Sequence, residues 1–182
     1  MKMKKILSTV AAVSLVISSN ASFAATNGSL SDPNGDSIGT KDITVFVKSR
    51  VKITGFDDFE VADWKIGDGD VNESDAVCIY ANSAAGYNVT AASSGDGFNL
   101  RSSDNVHDLP YSLAWFDGTS AISLSHGVAT TNNFTNYSRT SADCDGGTNS
   151  ELRLSILATD LQAAPGVDSA YIDTVTITIS PA

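Results

Sequence analysis

Two stretches of this chain alternate apolar and polar residues with period two, and nothing after the first two dozen residues carries the 3.6-residue period of an amphipathic helix. In ITVFVKSRVKI, Ile43, Val45, Val47, Val51 and Ile53 share one parity, and Thr44, Lys48, Arg50 and Lys52 take the other. From Tyr171 to Ile179 a second run of the same kind is expected. Tyr171, Val175, Ile177 and Ile179 fall on one side, and Thr174, Thr176 and Thr178 on the other. Period two describes an extended strand with one buried face, so the first segment is read as a long strand or two strands in line and the second as an antiparallel strand. A strand at the end of the chain must find a neighbour for its backbone N–H and C=O groups. The identity of that neighbour becomes the question of function.

Between these segments lie AVCIYAN, GYNVTAA, FNLRSS, LPYSLAWFDG, AISLSHG and ELRLSILATDL, separated by clusters such as SSGDG, FDGTS and DCDGGTNS. Gly, Ser, Asn and Asp in such clusters supply turns, and short strands at near-regular spacing predict an all-β sandwich or barrel. GFDDFEVADW is expected to form a turn and a short strand, with IGDGDVNESD an acidic loop after it. No internal repeat and no second domain are visible.

The opening MKMKKILSTVAAVSLVISSNASFAA has the form of a secretory signal peptide. Lys2, Lys4 and Lys5 precede an apolar run from Ile6 to Ile17, and small residues surround a cleavage site after Ala24. The expectation is an exported, soluble protein of roughly 158 residues, one ordinary domain, in an oxidising compartment. Residues 25–41 (ATNGSLSDPNGDSIGTK) have few apolar anchors and read as a flexible leader. The full chain carries a net charge of −10, and loss of the three signal-peptide lysines leaves 8 basic against 21 acidic residues, a balance of −13. That excess argues against nucleic acid or anionic lipid as a partner.

The only cysteines, Cys78 and Cys144, are expected to form a disulfide that closes a loop of about 66 residues. No CxxC is present. Nor is there an HExxH pair or a phosphate-binding glycine loop. The two histidines, His107 and His126, sit in predicted loops, so catalysis is not expected. An EF-hand register through Asp68, Asp70 and Asn72 fails because it requires glycine at Glu73 and glutamate at Ile79. No metal or other cofactor is therefore assigned, although a calcium site of another type in loop 63–75 stays open beside the preferred solvated hairpin tip. Trp64 and Trp115 could stack on sugar rings if exposed, but Trp115 shares its parity with Leu109 and Leu113 and reads as core.

Taken in order, the signal peptide, ITVFVKSRVKI, the strand-ending cysteine of AVCIYAN, YNVTA, LPYSLAWFDG, CDGGTNSELRLSI and PGVDSAYIDTVTITIS resemble the spore coat protein U-like domain. That domain occurs in pilins of the archaic chaperone–usher pathway. Two features depart from it: Val51 and Ile53 stand where the family has a first-strand cysteine, and the sequence closes on Ser180-Pro181-Ala182 rather than an aromatic.

The resemblance implies an immunoglobulin-like β-sandwich that lacks one strand. A periplasmic chaperone fills the gap first, and at the outer-membrane usher the N-terminal extension of the next subunit replaces it. The division implied is a signal peptide over 1–24, an extension with the donor strand over 25–48, and the pilin-like domain over 49–182. Ile43, Val45 and Val47 match the donor's apolar face, with Ile38 reaching an early pocket, and Val175, Ile177 and Ile179 would line part of the acceptor groove. The expected product is a cell-surface fimbria, a homopolymer, that supports adhesion or biofilm formation. The rival readings are a secreted, self-contained β-sandwich that binds carbohydrate or calcium, and a small secreted hydrolase.

Overall fold

The computed structural model describes residues 26–29, 33–166 and 170–182. The expected signal peptide, residues 1–24, lies outside them. The chain divides into two compact units, Met1–Val47 and Lys48–Ala182.

Within the first unit, Thr26 and Thr40 pair through two backbone hydrogen bonds of 3.1 and 3.0 Å, and Ser37 Oγ donates to Ser29 O at 2.7 Å. The predicted leader thus closes on itself locally. Residues 41–50 form no strand, so the long strand expected over Ile43–Ile53 is reduced to its last part.

The second unit is built of antiparallel strands. They are β1 (Val51–Thr54), β2 (Val71–Ala81), β3 (Tyr87–Ser93), β4 (Asn99–Ser102), β5 (Asp108–Pro110), β6 (Ser112–Phe116), β7 (Ala121–Ser123), β8 (Ser150–Ile156), β9 (Tyr171–Ile172) and β10 (Val175–Pro181). One five-stranded sheet runs β1-β2-β8-β6-β7, and β10-β3 and β5-β4-β9 form two smaller sheets. The predicted all-β, immunoglobulin-like class is the observed one.

Alternation explains the core. β8 buries Leu152, Leu154 and Ile156, β6 buries Leu113 and Trp115, and β3 buries Tyr87, Val89 and Ala91. Each large apolar side chain taken from water contributes about 1.5–3 kcal/mol. At the centre Trp115 Nε1 donates to Tyr87 Oη at 3.2 Å, and Tyr87 Oη shares a proton with Ser150 Oγ at 3.0 Å. This chain satisfies three polar groups that would each be costly if buried alone. Burial pushes the Tyr87 hydroxyl above its ordinary range, against the opposing effect of its two partners.

Four expectations are corrected. The Tyr171–Ile179 strand is not continuous: it breaks at Asp173-Thr174, with β9 pairing with β4 and β10 with β3. LPYSLAWFDG breaks likewise at Tyr111, where the chain passes from one sheet to another. GFDDFEVADW contains no strand, while Val71–Asp75 of the supposed acidic loop are the first half of β2, paired with β8. Finally, Ala158–Ala163 form a helix, α1, with the first-turn N–H of Ala158 donating to Asp70 Oδ1 at 2.7 Å. Six residues are too few to show a helical period in the sequence.

The expected disulfide is present. Cys78 on β2 joins Cys144 in a short 3₁₀ turn, with Cα atoms 5.8 Å apart. Nearby, Asn149 Oδ1 accepts from Ile79 N at 2.9 Å and Asn149 Nδ2 donates to Ile79 O at 2.8 Å. The side-chain amide thus adds a rung to the β2–β8 ladder just beyond its last pair, Val77–Ser150. No described helix is long and apolar enough to cross a membrane.

Candidate functional site

Two edge strands, β1 and β10, lie beside each other. Among the described residues, β1 pairs only with β2 and β10 only with β3. The two are spatial neighbours but belong to separate sheets and form no ladder with each other.

Backbone polarity along these edges follows from register. In an antiparallel pair, consecutive residues direct their N–H and C=O alternately toward the partner and away from it. Ser94 N donates to Thr174 O and Ala182 N donates to Gly86 O, both at 3.0 Å, so the even-numbered residues of β10 face β3. Val175, Ile177 and Ile179 therefore direct their peptide groups to the vacant edge. Asn82 N donates to Arg50 O at 3.1 Å, which by the same rule turns the peptide groups of Val51 and Ile53 away from β2.

These five residues carry a second common property. Val51, Ile53, Val175, Ile177 and Ile179 are all partly buried apolar side chains packed against the core. A strand laid along either edge would find main-chain partners and an incompletely covered apolar floor at the same positions. The family resemblance implies a groove role for Val175, Ile177 and Ile179; it implies none for Val51 and Ile53, although their parity is the available signal. Pro181, with no N–H, weakens the edge at its far end.

The crossover that delivers β10 is pinned by one carboxylate. Asp173 accepts from Tyr111 Oη at 2.5 Å, Ser94 Oγ at 2.7 Å and Thr174 N at 2.7 Å. Partial burial works against ionisation of Asp173, but the donors from Tyr111, Ser94 and Ser93 prevail and hold its carboxyl below the ordinary range. Burial and the Asp173 partner together push the Tyr111 hydroxyl well above its ordinary value. Since Tyr111 marks the β5–β6 break and Asp173 the β9–β10 break, one hydrogen bond ties two sheet crossovers together.

Ile38, Ile43, Val45 and Val47, the expected donor residues, belong to the first unit and lie outside any strand. They are exposed by 78%, 85%, 77% and 80%, and Phe46, of opposite parity, is exposed by 88%. Exposed apolar residues at this density are unusual on a soluble surface.

The residues behind the rival readings are placed differently. Trp115 is fully buried, and Trp64 is partly buried with its Nε1 donating to Gly69 O at 2.9 Å. In the acidic segment, Asp68 Oδ2 accepts from Lys65 N at 2.7 Å and Asp70 is taken up by α1. Among the described residues, no group of three or more His, Cys, Asp or Glu side chains converges as metal ligands. His126 lies edge-on to Phe98, with ring centroids 5.7 Å apart.

No family model matches the chain, and no curated protein matches it. Among solved structures, it resembles a chain from work on a chaperone–tip adhesin complex vital for synergistic activation of CFA/I fimbriae biogenesis. The match has a TM-score of 0.53 and 15% identity over 72% of this chain. It spans 41% of that chain's length. At that identity the likeness concerns the fold alone.

Proposed function

We propose that this protein is a structural, non-enzymatic subunit of an extracellular fimbria, polymerised by donor-strand exchange. The single observation that carries the reading is the coincidence at Val51, Ile53, Val175, Ile177 and Ile179. Each combines a half-covered apolar side chain with peptide groups facing an unoccupied edge. Strand addition draws affinity from main-chain hydrogen bonds and specificity from alternate side chains in pockets. The exposed alternation of Ile43, Val45 and Val47 supplies a matching strand, with Ile38 extending it.

In this reading residues 1–24 direct export, residues 25–48 are the extension, and residues 49–182 form the receiving domain. A periplasmic chaperone covers the edge until the outer-membrane usher hands the subunit to its neighbour. The homopolymer then reaches the cell surface, where it supports adhesion or biofilm formation. A likeness of fold to a fimbrial chaperone–adhesin structure supports this assignment.

The test is deletion of residues 25–48 behind an intact export signal, with the chaperone co-produced. The expected product is a monomer that binds the chaperone but forms no fibres. A deletion variant that still assembled would refute the donor assignment.

A further inference from the structure

Charge is distributed very unevenly along this chain. Of the eight basic residues beyond residue 24, Lys41, Lys48, Arg50 and Lys52 lie within twelve residues, with Asp42 the lone acid among them. Residues 53–182 hold 18 acidic residues against four basic ones. Two of those four, Arg101 and Arg153, are already paired, with Asp108 and Glu151. The Lys41, Lys48 and Arg50 side chains are exposed and have no ion-pair partner among the described residues.

We infer that Lys41, Lys48 and Arg50 form an electrostatic clamp on both sides of the apolar Ile43–Val47 segment, and that its partner is the acidic domain of a second copy of this chain. The inference rests on the strand-exchange reading above. Extended chain advances about 3.3–3.6 Å per residue, so Lys41 and Lys48 stand within roughly 7 Å of the ends of the apolar segment. Seating that segment on the edges of β1 and β10 therefore brings both cations to the rims of the receiving site.

Carboxylates stand at one of those rims. Val51 pairs with Ala81 and Pro181 with Tyr87, at the two ends of the short β2–β3 turn. Thr54 and Val175 consequently lie toward the opposite end of the domain. Asp57 and Asp58 follow β1 there, and Asp173 precedes β10. The Asp173 carboxyl, held below its ordinary range by its donors, is anionic at neutral pH. Opposite charges of this kind speed encounter and fix orientation more than they deepen affinity.

The same arrangement discriminates against the wrong docking. The domain's acidic surface repels a second domain, so two copies approach productively only with the basic strip leading. Electrostatic steering raises association rates by about 10- to 1,000-fold and collapses once the Debye length shrinks to a few ångströms.

The experiment follows full-length protein refolding from denaturant, with light scattering and electron microscopy reading assembly at about 20 mM and about 500 mM salt. Three proteins are compared: wild type, the triple variant Lys41→Gln, Lys48→Gln, Arg50→Gln, and Val45→Asp. Wild type is expected to assemble at least about 10-fold more slowly at the higher salt. The triple variant should assemble at both salts near the wild-type high-salt rate, into fibres of unchanged appearance. A triple variant with the wild-type rate and salt slope overturns the clamp, provided Val45→Asp fails to assemble. If Val45→Asp assembles normally, or wild type stays monomeric throughout, the strand-exchange reading itself fails and the clamp with it.

Discussion

Tyr111→Phe is the sharpest test of how the receiving edge is held in place. The substitution removes one oxygen from a buried site and leaves the ring, which packs on Phe98 with centroids 5.5 Å apart. What is lost is the 2.5 Å hydrogen bond to Asp173. Hydrogen bonds to charged groups contribute about 1.5–3 kcal/mol. Asp173 retains Ser94 Oγ and the Thr174 N–H, and is only partly buried, so the low end applies: about 1.5 kcal/mol. For a domain of this size that corresponds to a fall in Tm of roughly 3–6 °C.

The pH dependence identifies the cause. Asp173 has a folded pKa below its unfolded value. Its contribution is therefore present above the ordinary carboxylate range near about 3.9 and is lost as pH falls through the depressed value. Tyr111 has a folded pKa above its unfolded value. Its contribution is present below about 10 and is lost as pH rises beyond that point. The gap between wild type and Tyr111→Phe should be widest around neutrality and should narrow toward both extremes. Urea denaturation at pH steps from about 3 to about 10.5 would measure it. A gap that stays constant across that range would refute the charged hydrogen bond as its source.

Two further outcomes follow from the packing. Replacing Cys78 and Cys144 together by Ser removes a tether between β2 and the turn after residue 143, across a sequence separation of 66. The chain-entropy argument gives a loss of about 4 kcal/mol, visible as a lower denaturation midpoint that a reductant reproduces in the wild type but leaves unchanged in the variant. Asn149→Ala strips Ile79 N–H of its partner and should cost about 1–3 kcal/mol, with faster amide hydrogen exchange at Ile79 as the local signature.

The strands were legible because alternation survives in the sequence wherever one face is buried and the other is wet. AVCIYAN, GYNVTAA and ELRLSI all became strands, and the parity that set Trp115 beside Leu109 and Leu113 placed all three in the core. The disulfide was legible because two cysteines admit one intramolecular pairing. The break at Asp173 left a mark in the sequence, because Ile172 and Asp173 reverse the parity of the strand that follows. The break at Tyr111 was not legible: it interrupts the ladder without interrupting the alternation, so parity passes straight through a point where the chain changes sheet. Val71–Asp75 were hidden for the opposite reason. Asn72, Glu73 and Ser74 are exposed, and a strand with so polar a face looks like a loop until its partner β8 is known.

The sequence by itself determined the β class, the apolar face of each principal strand, the cysteine pair and the segregation of positive charge around Ile43–Val47. These depend on local period and composition, which need no knowledge of neighbours. Only the tertiary structure decided that Val51 and Ile53 join Val175, Ile177 and Ile179, and that the peptide groups of all five face an unpaired edge. Hydrogen-bond direction along a strand is fixed by register with its partner, and register is a relation between distant segments that period two cannot encode.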